Sequence, residues 1–142
     1  MRALLDINVL IALHDRDHVH HLRAATWFEA NIEHGWASCP LTQNGCLRIM
    51  NQAGYSSPQP MAALMAMLRR STSATVHETW FDDISILDAA RFQHMHMHGH
   101  RQLTDLYLLG LAVKNKGRLA CFDARIPTSA VHGASAAHMV VL

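Results

Sequence analysis

Short apolar runs alternate along this chain with longer stretches whose apolar residues recur at helical spacing. Ala3-Leu4-Leu5 is such a run, ends at Asp6, and reads as a buried first strand. From Asn8 to His14 the apolar set Val9, Leu10, Ile11 and Leu13 moves toward helical spacing. The segment His18 to His34 carries Leu22, Ala25, Trp27, Phe28 and Ile32 on one helical stripe, and Gly35 is a natural stop. Trp36 to Cys39 predicts a second strand, and Thr42 the N-cap of a helix running to about Gln52. Gly54 to Pro60 gathers Gly, Ser and Pro and predicts a loop. Met61 to Arg70 is built from strong helix formers. His77 to Phe81 reads as a third strand, followed by a short helix from Ile84 to Arg91 capped by Asp83. Thr104 is the expected cap of a helix from Asp105 to about Lys116, stopped by Gly117. Lys114 and Lys116 fall in its last turn, where the macrodipole favours cations. Leu119 to Phe122 and Met139 to Leu142 complete the strands.

Helices separate most of these strands, which requires parallel pairing through right-handed crossovers. The expectation is one α/β domain over residues 1–142: a three-layer α/β/α arrangement around a mostly parallel sheet of about four or five strands.

Composition narrows the class. Half the residues are hydrophobic, which suits a packed globule and not a disordered chain. The formal charge of +1 does not by itself announce a nucleic-acid partner. The 12 histidines do add positive charge as pH falls, so affinity for a polyanion should rise with acidity. Cys39, Cys46 and Cys121 lack metal or redox spacing and have apolar neighbours, as buried reduced thiols do. No apolar run approaches the ~20 residues of a membrane helix. Asp6 interrupts the segment where a secretory leader needs an uncharged core. A soluble cytoplasmic protein is expected.

Three aspartates carry the candidate chemistry. Asp6 follows the first strand, Asp123 follows Leu119 to Phe122, and Asp105 opens a helix. Ligands of open parallel sheets bind beyond the carboxyl ends of the strands, where these residues can converge. Clustered carboxylates repel one another, so they persist with a cation or with shifted pKa values. Hard oxygen donors favour Mg²⁺ or Mn²⁺ over zinc. An Asp at a strand end is also an ordinary turn residue or helix cap, and spacing alone leaves that alternative open.

Leu4 to Leu10, Leu103 to Ala112, Leu119 to Asp123 and Pro40 to Ile49 together resemble the PIN-domain nucleases, and among them the VapC-type toxins of mycobacterial type. Leu4-Leu5-Asp6-Ile7-Asn8-Val9-Leu10 is similar to the family's opening motif. Leu103 to Ala112, with Thr104 before Asp105, resembles its second acidic signature. Leu119-Ala120-Cys121-Phe122-Asp123 resembles the last, and Pro40 to Ile49 the second-helix motif of the mycobacterial subgroup. The resemblance implies the PIN fold and Mg²⁺-dependent, or Mn²⁺-dependent, cleavage of structured RNA such as tRNA or rRNA. It implies Asp6, Asp105 and Asp123 as catalytic metal ligands, with Asn8, Gln43 and Thr104 supporting them. It also implies a small antitoxin partner and a homodimer. Many members carry Glu where this chain has Gln43; a carboxamide hydrogen-bonds but lacks the charge. Three carboxylates then remain, a set suited to one Mg²⁺. The same residue sustains an alternative: an RNA- or protein-binding module with a degenerate metal site.

Other features have bland readings beside sharper ones. His94, His96, His98 and His100 alternate, and are expected in a solvated loop, with a metal site or an RNA grip as alternatives. Arg48, Arg101 and Arg125 lie near motif segments and suit either phosphate contacts or structural pairing. Met61, Met65 and Met67 suit core or a partner groove, and Trp27 and Phe28 suit core, with a dimer or antitoxin interface as the alternative.

Overall fold

Every predicted strand forms in the computed structural model, which describes residues 1–142. In chain order the elements are β1 (Ala3–Leu5), α1 (Ile7–His14), α2 (His21–Asn31), β2 (Trp36–Ser38), α3 (Pro40–Asn51), α4 (Met61–Thr72), β3 (His77–Thr79), α5 (Leu103–Lys114), β4 (Arg118–Cys121) and β5 (Met139–Val141). The five strands pair in parallel in the order β3-β2-β1-β4-β5. Leu4 stands opposite Ala37 on β2 and Leu119 on β4, so β1 is central and wholly buried. The polar run His77-Glu78-Thr79 fits the edge that β3 occupies.

Alternation along β1 divides the core in two. Ala3 and Leu5 face a layer that contains Leu10, Ala24, Cys46 and Leu64, supplied by α1, α2, α3 and α4. Leu4 faces the other way, onto Leu108, Leu111 and Phe92, supplied by α5 and irregular chain. The three layers and the parallel sheet match the expected fold. All three cysteines are buried and free, as the sequence implied.

Several boundaries differ, each for a local reason. The second helix begins at His21, because His18 accepts the backbone N–H of both His20 (3.1 Å, at Nδ1) and His21 (2.9 Å, at its carbonyl) in a preceding turn. It ends at Asn31 and tightens into a 3₁₀ turn over Ile32–His34. Thr42 is not the cap of α3. Pro40 occupies the first helical position, Cys39 is the cap, and Thr42 Oγ1 accepts the Cys39 N–H at 3.0 Å from the third position. No helix forms over Ile84 to Arg91; Ile84 and Ile86 are half-buried while Ser85 and Leu87 are exposed, a period of two that suits extended chain and turns. Its supposed cap Asp83 instead pairs with Lys114. Helix α5 starts at Leu103 with Gln102 as its cap, so Thr104 and Asp105 lie inside its first turn. The left-handed residue that ends α5 is Lys116 (φ 56°), not Gly117. Gly117 is required for a different reason: a Cβ there would lie 2.6 Å from the Arg2 carbonyl oxygen.

Candidate active site

The strand order reverses between β1 and β4: β2 and β3 lie beyond β1 on one side, and β5 lies beyond β4 on the other. At such a switch point the connections leave in opposite directions and open a crevice at the carboxyl ends of the strands. Asp6 directly follows β1 there, and Asp123 follows β4 there.

Asp6 serves two elements at once. Its N–H donates to the Ala120 carbonyl at 3.0 Å, extending the ladder, and its Oδ1 accepts the Asn8 N–H at 3.2 Å as N-cap of α1. The side chain is fixed by backbone on both sides and is 7 % exposed. Burial first, and the neighbouring Asp105 second, push its carboxyl up to about 6, against the opposing hydrogen bonds from α1. Asp105, half-buried in the first turn of α5, is raised by burial and then by Asp123. Neither Asp6 nor Asp105 has a cationic side chain in ion-pair contact.

Asp123 differs. Arg125 donates to it three times: Nε to Oδ1 at 2.9 Å, Nη2 to Oδ2 at 3.0 Å, and the backbone N–H to Oδ1 at 2.8 Å. Those bonds hold its carboxyl below the usual range. Asp105 and Asp123 both act electrostatically on Asp6, but with Asp123 engaged the acids do not close into a ready three-ligand cage. The set is therefore two uncompensated carboxylates plus one held by a guanidinium. A hard divalent cation fits the first two, because it supplies the charge that Asp6 and Asp105 lack.

The supporting residues are placed less simply. Asn8 contributes its backbone N–H, while its side chain is exposed. Thr104 is exposed and forms no side-chain hydrogen bond within the chain. Gln43 Nε2 donates to Ser38 Oγ at 2.9 Å, and Ser38 in turn contacts His77 Nε2 at 2.8 Å. Gln43 thus closes a polar chain across β2 and β3 and forms no hydrogen bond to any of the three acids. Cys121 lies next to the site, but burial pushes its thiol up to about 12, which leaves it protonated and unsuited to act as a nucleophile.

Two contributors were not read from the sequence. Ser38, fully buried at the end of β2, orients Gln43. Asp82 accepts the Leu41 N–H at 2.8 Å and the Tyr107 hydroxyl at 3.1 Å, tying the start of α3 to α5. The Asp-X-Arg spacing of Asp123 and Arg125 was the one signal available for the guanidinium clamp. The His94–His100 segment is exposed chain with 3₁₀ turns at 94–96 and 100–102; His94 bonds the Ile86 carbonyl and His96 that of Ser129.

Comparison with known proteins converges on the same architecture. The PIN domain family matches residues 3–130. Ribonuclease VapC44 of Mycobacterium tuberculosis is 48% identical over 142 residues, spanning the whole of both chains. Ribonuclease VapC39 of the same organism is 38% identical over 134 residues, covering 94% of this chain and 96% of its own. Among solved structures, VapBC2 from Rickettsia felis, bound to a DNA fragment from its promoter, superimposes with a TM-score of 0.59. That match covers 88% of this chain and 90% of the other, at 11% identity, and bears on the fold alone.

Proposed function

The chain belongs to the PIN-domain family, as a VapC-type toxin of mycobacterial type, and from that premise we propose a metal-dependent endoribonuclease inhibited by a small cognate antitoxin. Its substrate class is structured RNA, a transfer or ribosomal RNA, and its working form is a homodimer. The curated relatives at 48% and 38% identity carry the name ribonuclease, which supports the reaction class. No helix is long and apolar enough to cross a membrane.

The observation that carries the metal reading is the Asp6–Asp105 pair: two acids at the switch point, both raised, with no cationic partner. Asp6 and Asp105 would hold Mg²⁺ or Mn²⁺, and Asp123 would be a third donor. The bound cation supplies Lewis-acid polarisation of the scissile phosphate and lowers the pKa of water. The chain's own residues set the geometry. The Asn8 N–H and the ladder bond to Ala120 fix Asp6, so the carboxylate needs little reorganisation on loading. The first turn of α5 presents Asp105 from the opposite layer of the domain. Burial of Asp6 keeps water from screening the pair.

The engagement of Gln43 by Ser38 and of Asp123 by Arg125 favours a second reading, an RNA-binding module that cleaves weakly. Cleavage of a pool of structured RNA, with Mg²⁺, with Mn²⁺ and with chelator, separates the two. The nuclease reading expects metal-dependent cleavage that Asp105→Asn removes. Folded protein that binds the pool yet cleaves under no condition supports the binding module instead.

A further inference from the structure

Beside Asp123 the surface opens into a cleft of about 400 Å³ whose lining contains no hydrophobic side chain. His98, His100, Arg101 and Gln102 reach it from the segment leading into α5, and Asp123 and Arg125 from the turn after β4. The side chains of His98, His100 and Arg101 make no hydrogen bond or ion pair within the chain. Gln102 keeps a polar atom, Oε1, out of solvent with no partner. A buried polar atom left unpaired costs stability unless something outside the chain satisfies it. The cleft therefore gathers unspent donors beside Asp123, with Gln102, which has an unpaired buried oxygen behind it, in its wall.

Arg125 adds a second property. Its bidentate pair with Asp123 lies at the surface, with the guanidinium side chain 85% exposed. Such pairs contribute little net stability, and a guanidinium fork fits phosphate as well as carboxylate. Resting on the ribonuclease reading above, we propose that this cleft is the subsite for the nucleotide flanking the scissile phosphate, and that Arg125 exchanges Asp123 for that nucleotide's phosphate. Arg101 and the two histidines hold the same backbone. The ribose 2′-hydroxyl, both donor and acceptor, meets the carboxamide N–H of Gln102, which lines the cleft. Release of Arg125 turns Asp123 toward Asp6 and Asp105, so the metal site is completed when RNA is in place. An acidic peptide could meet Arg101, but the cleft is lined by Asp123, one of the three acids of the proposed cleavage site, which favours the nucleotide.

The test uses the full chain and two exposed substitutions, Arg125→Ala and Arg101→Ala, with folding checked by circular dichroism. Anisotropy of a labelled RNA hairpin in chelator should show each variant binding about three- to tenfold more weakly, with the salt slope reduced by about one charge. Gln102→Ala should narrow the preference for RNA over DNA of the same sequence. Mn²⁺ titration without RNA should move the other way for Arg125→Ala alone, tightening by roughly threefold or more as Asp123 is released. Arg101→Ala, which removes the same charge without touching Asp123, should not tighten it. Unchanged RNA binding in both arginine variants overturns the subsite. Mn²⁺ affinity that is unchanged in Arg125→Ala, or equally tightened in both, overturns the exchange. Wild-type protein whose RNA binding depends on both arginines but which takes up no Mn²⁺ removes the metal-nuclease reading and the exchange, and leaves the subsite standing.

Discussion

Asp6 and Asp123 stand at the ends of adjacent strands and belong to one site, yet the fold treats them in opposite ways. Asp6 is buried, held by backbone N–H groups, raised to about 6, and without a counter-charge. Asp123 is partly exposed, gripped by a neighbouring guanidinium, and lowered. The first carries an electrostatic deficit that a proton or an external cation relieves. The second has already been repaired from within. Identical side chains after neighbouring strands thus sit in opposite environments, and on the proposal above the one is an anchor and the other an exchangeable arm.

Four measurements bear on that contrast. The largest effect should come from Asp6→Asn, with metal-dependent RNA cleavage falling by about a thousandfold or more. Asp123→Asn should cost far less, about tenfold; equal losses at the two positions would erase the distinction between anchor and arm.

Stability gives the contrast its second reading. A carboxyl raised from 3.8 to about 6 carries, at neutral pH, a folding cost of up to roughly 3 kcal/mol. Metal-free Asp6→Asn should therefore melt at a higher temperature than the parent, because Asn still caps α1 while losing the charge. Saturating Mg²⁺ should narrow the gap by stabilising the parent alone. Calorimetry with and without the cation checks this; a variant that melts lower in chelator would mean that the charge of Asp6 is not a burden.

The smallest effect is expected at the other end of α1, where His14 is also held without a counter-charge. Burial lowers its pKa, its Nδ1–H donates to the Leu10 carbonyl at 2.8 Å, and Nε2 accepts from Ser71 Oγ at 2.9 Å. The unfolded chain takes up a proton near the ordinary 6.5 while the folded chain resists until lower pH. Stability from this group is present above 6.5 and is lost as pH falls from there through the depressed folded value. The melting temperature of His14→Gln should fall less than that of the parent between pH 7.5 and 5. A parallel decline in both proteins would acquit His14.

Much of the site was legible because its acids follow strong local signals. Ala3-Leu4-Leu5 before Asp6 and Leu119 to Phe122 before Asp123 are short apolar runs that have no choice but to be buried strands. The failures cluster where a contact far along the chain overrode the local pattern. Thr42 reads as a cap, but Pro40 and the reach of Asp82 to the Leu41 N–H move the start of α3. Asp83 reads as a cap too, but Lys114, 31 residues on, claims it. Gln43 is also engaged from a strand, by Ser38 at the end of β2, which the local pattern did not signal.

The sequence by itself determined the alternation of strands and helices, hence the parallel α/β fold, and placed an aspartate at the end of each of two strands. Those features follow from burial and chain geometry within a dozen residues. Only the tertiary structure decided that β1 and β4 are neighbours at the switch point. That adjacency brought Asp6 and Asp105 together without a counter-charge, whereas the clamp on Asp123 is local, from Arg125 two residues on. The shared burial and mutual repulsion of Asp6 and Asp105, 99 positions apart, are quantities that no local pattern encodes.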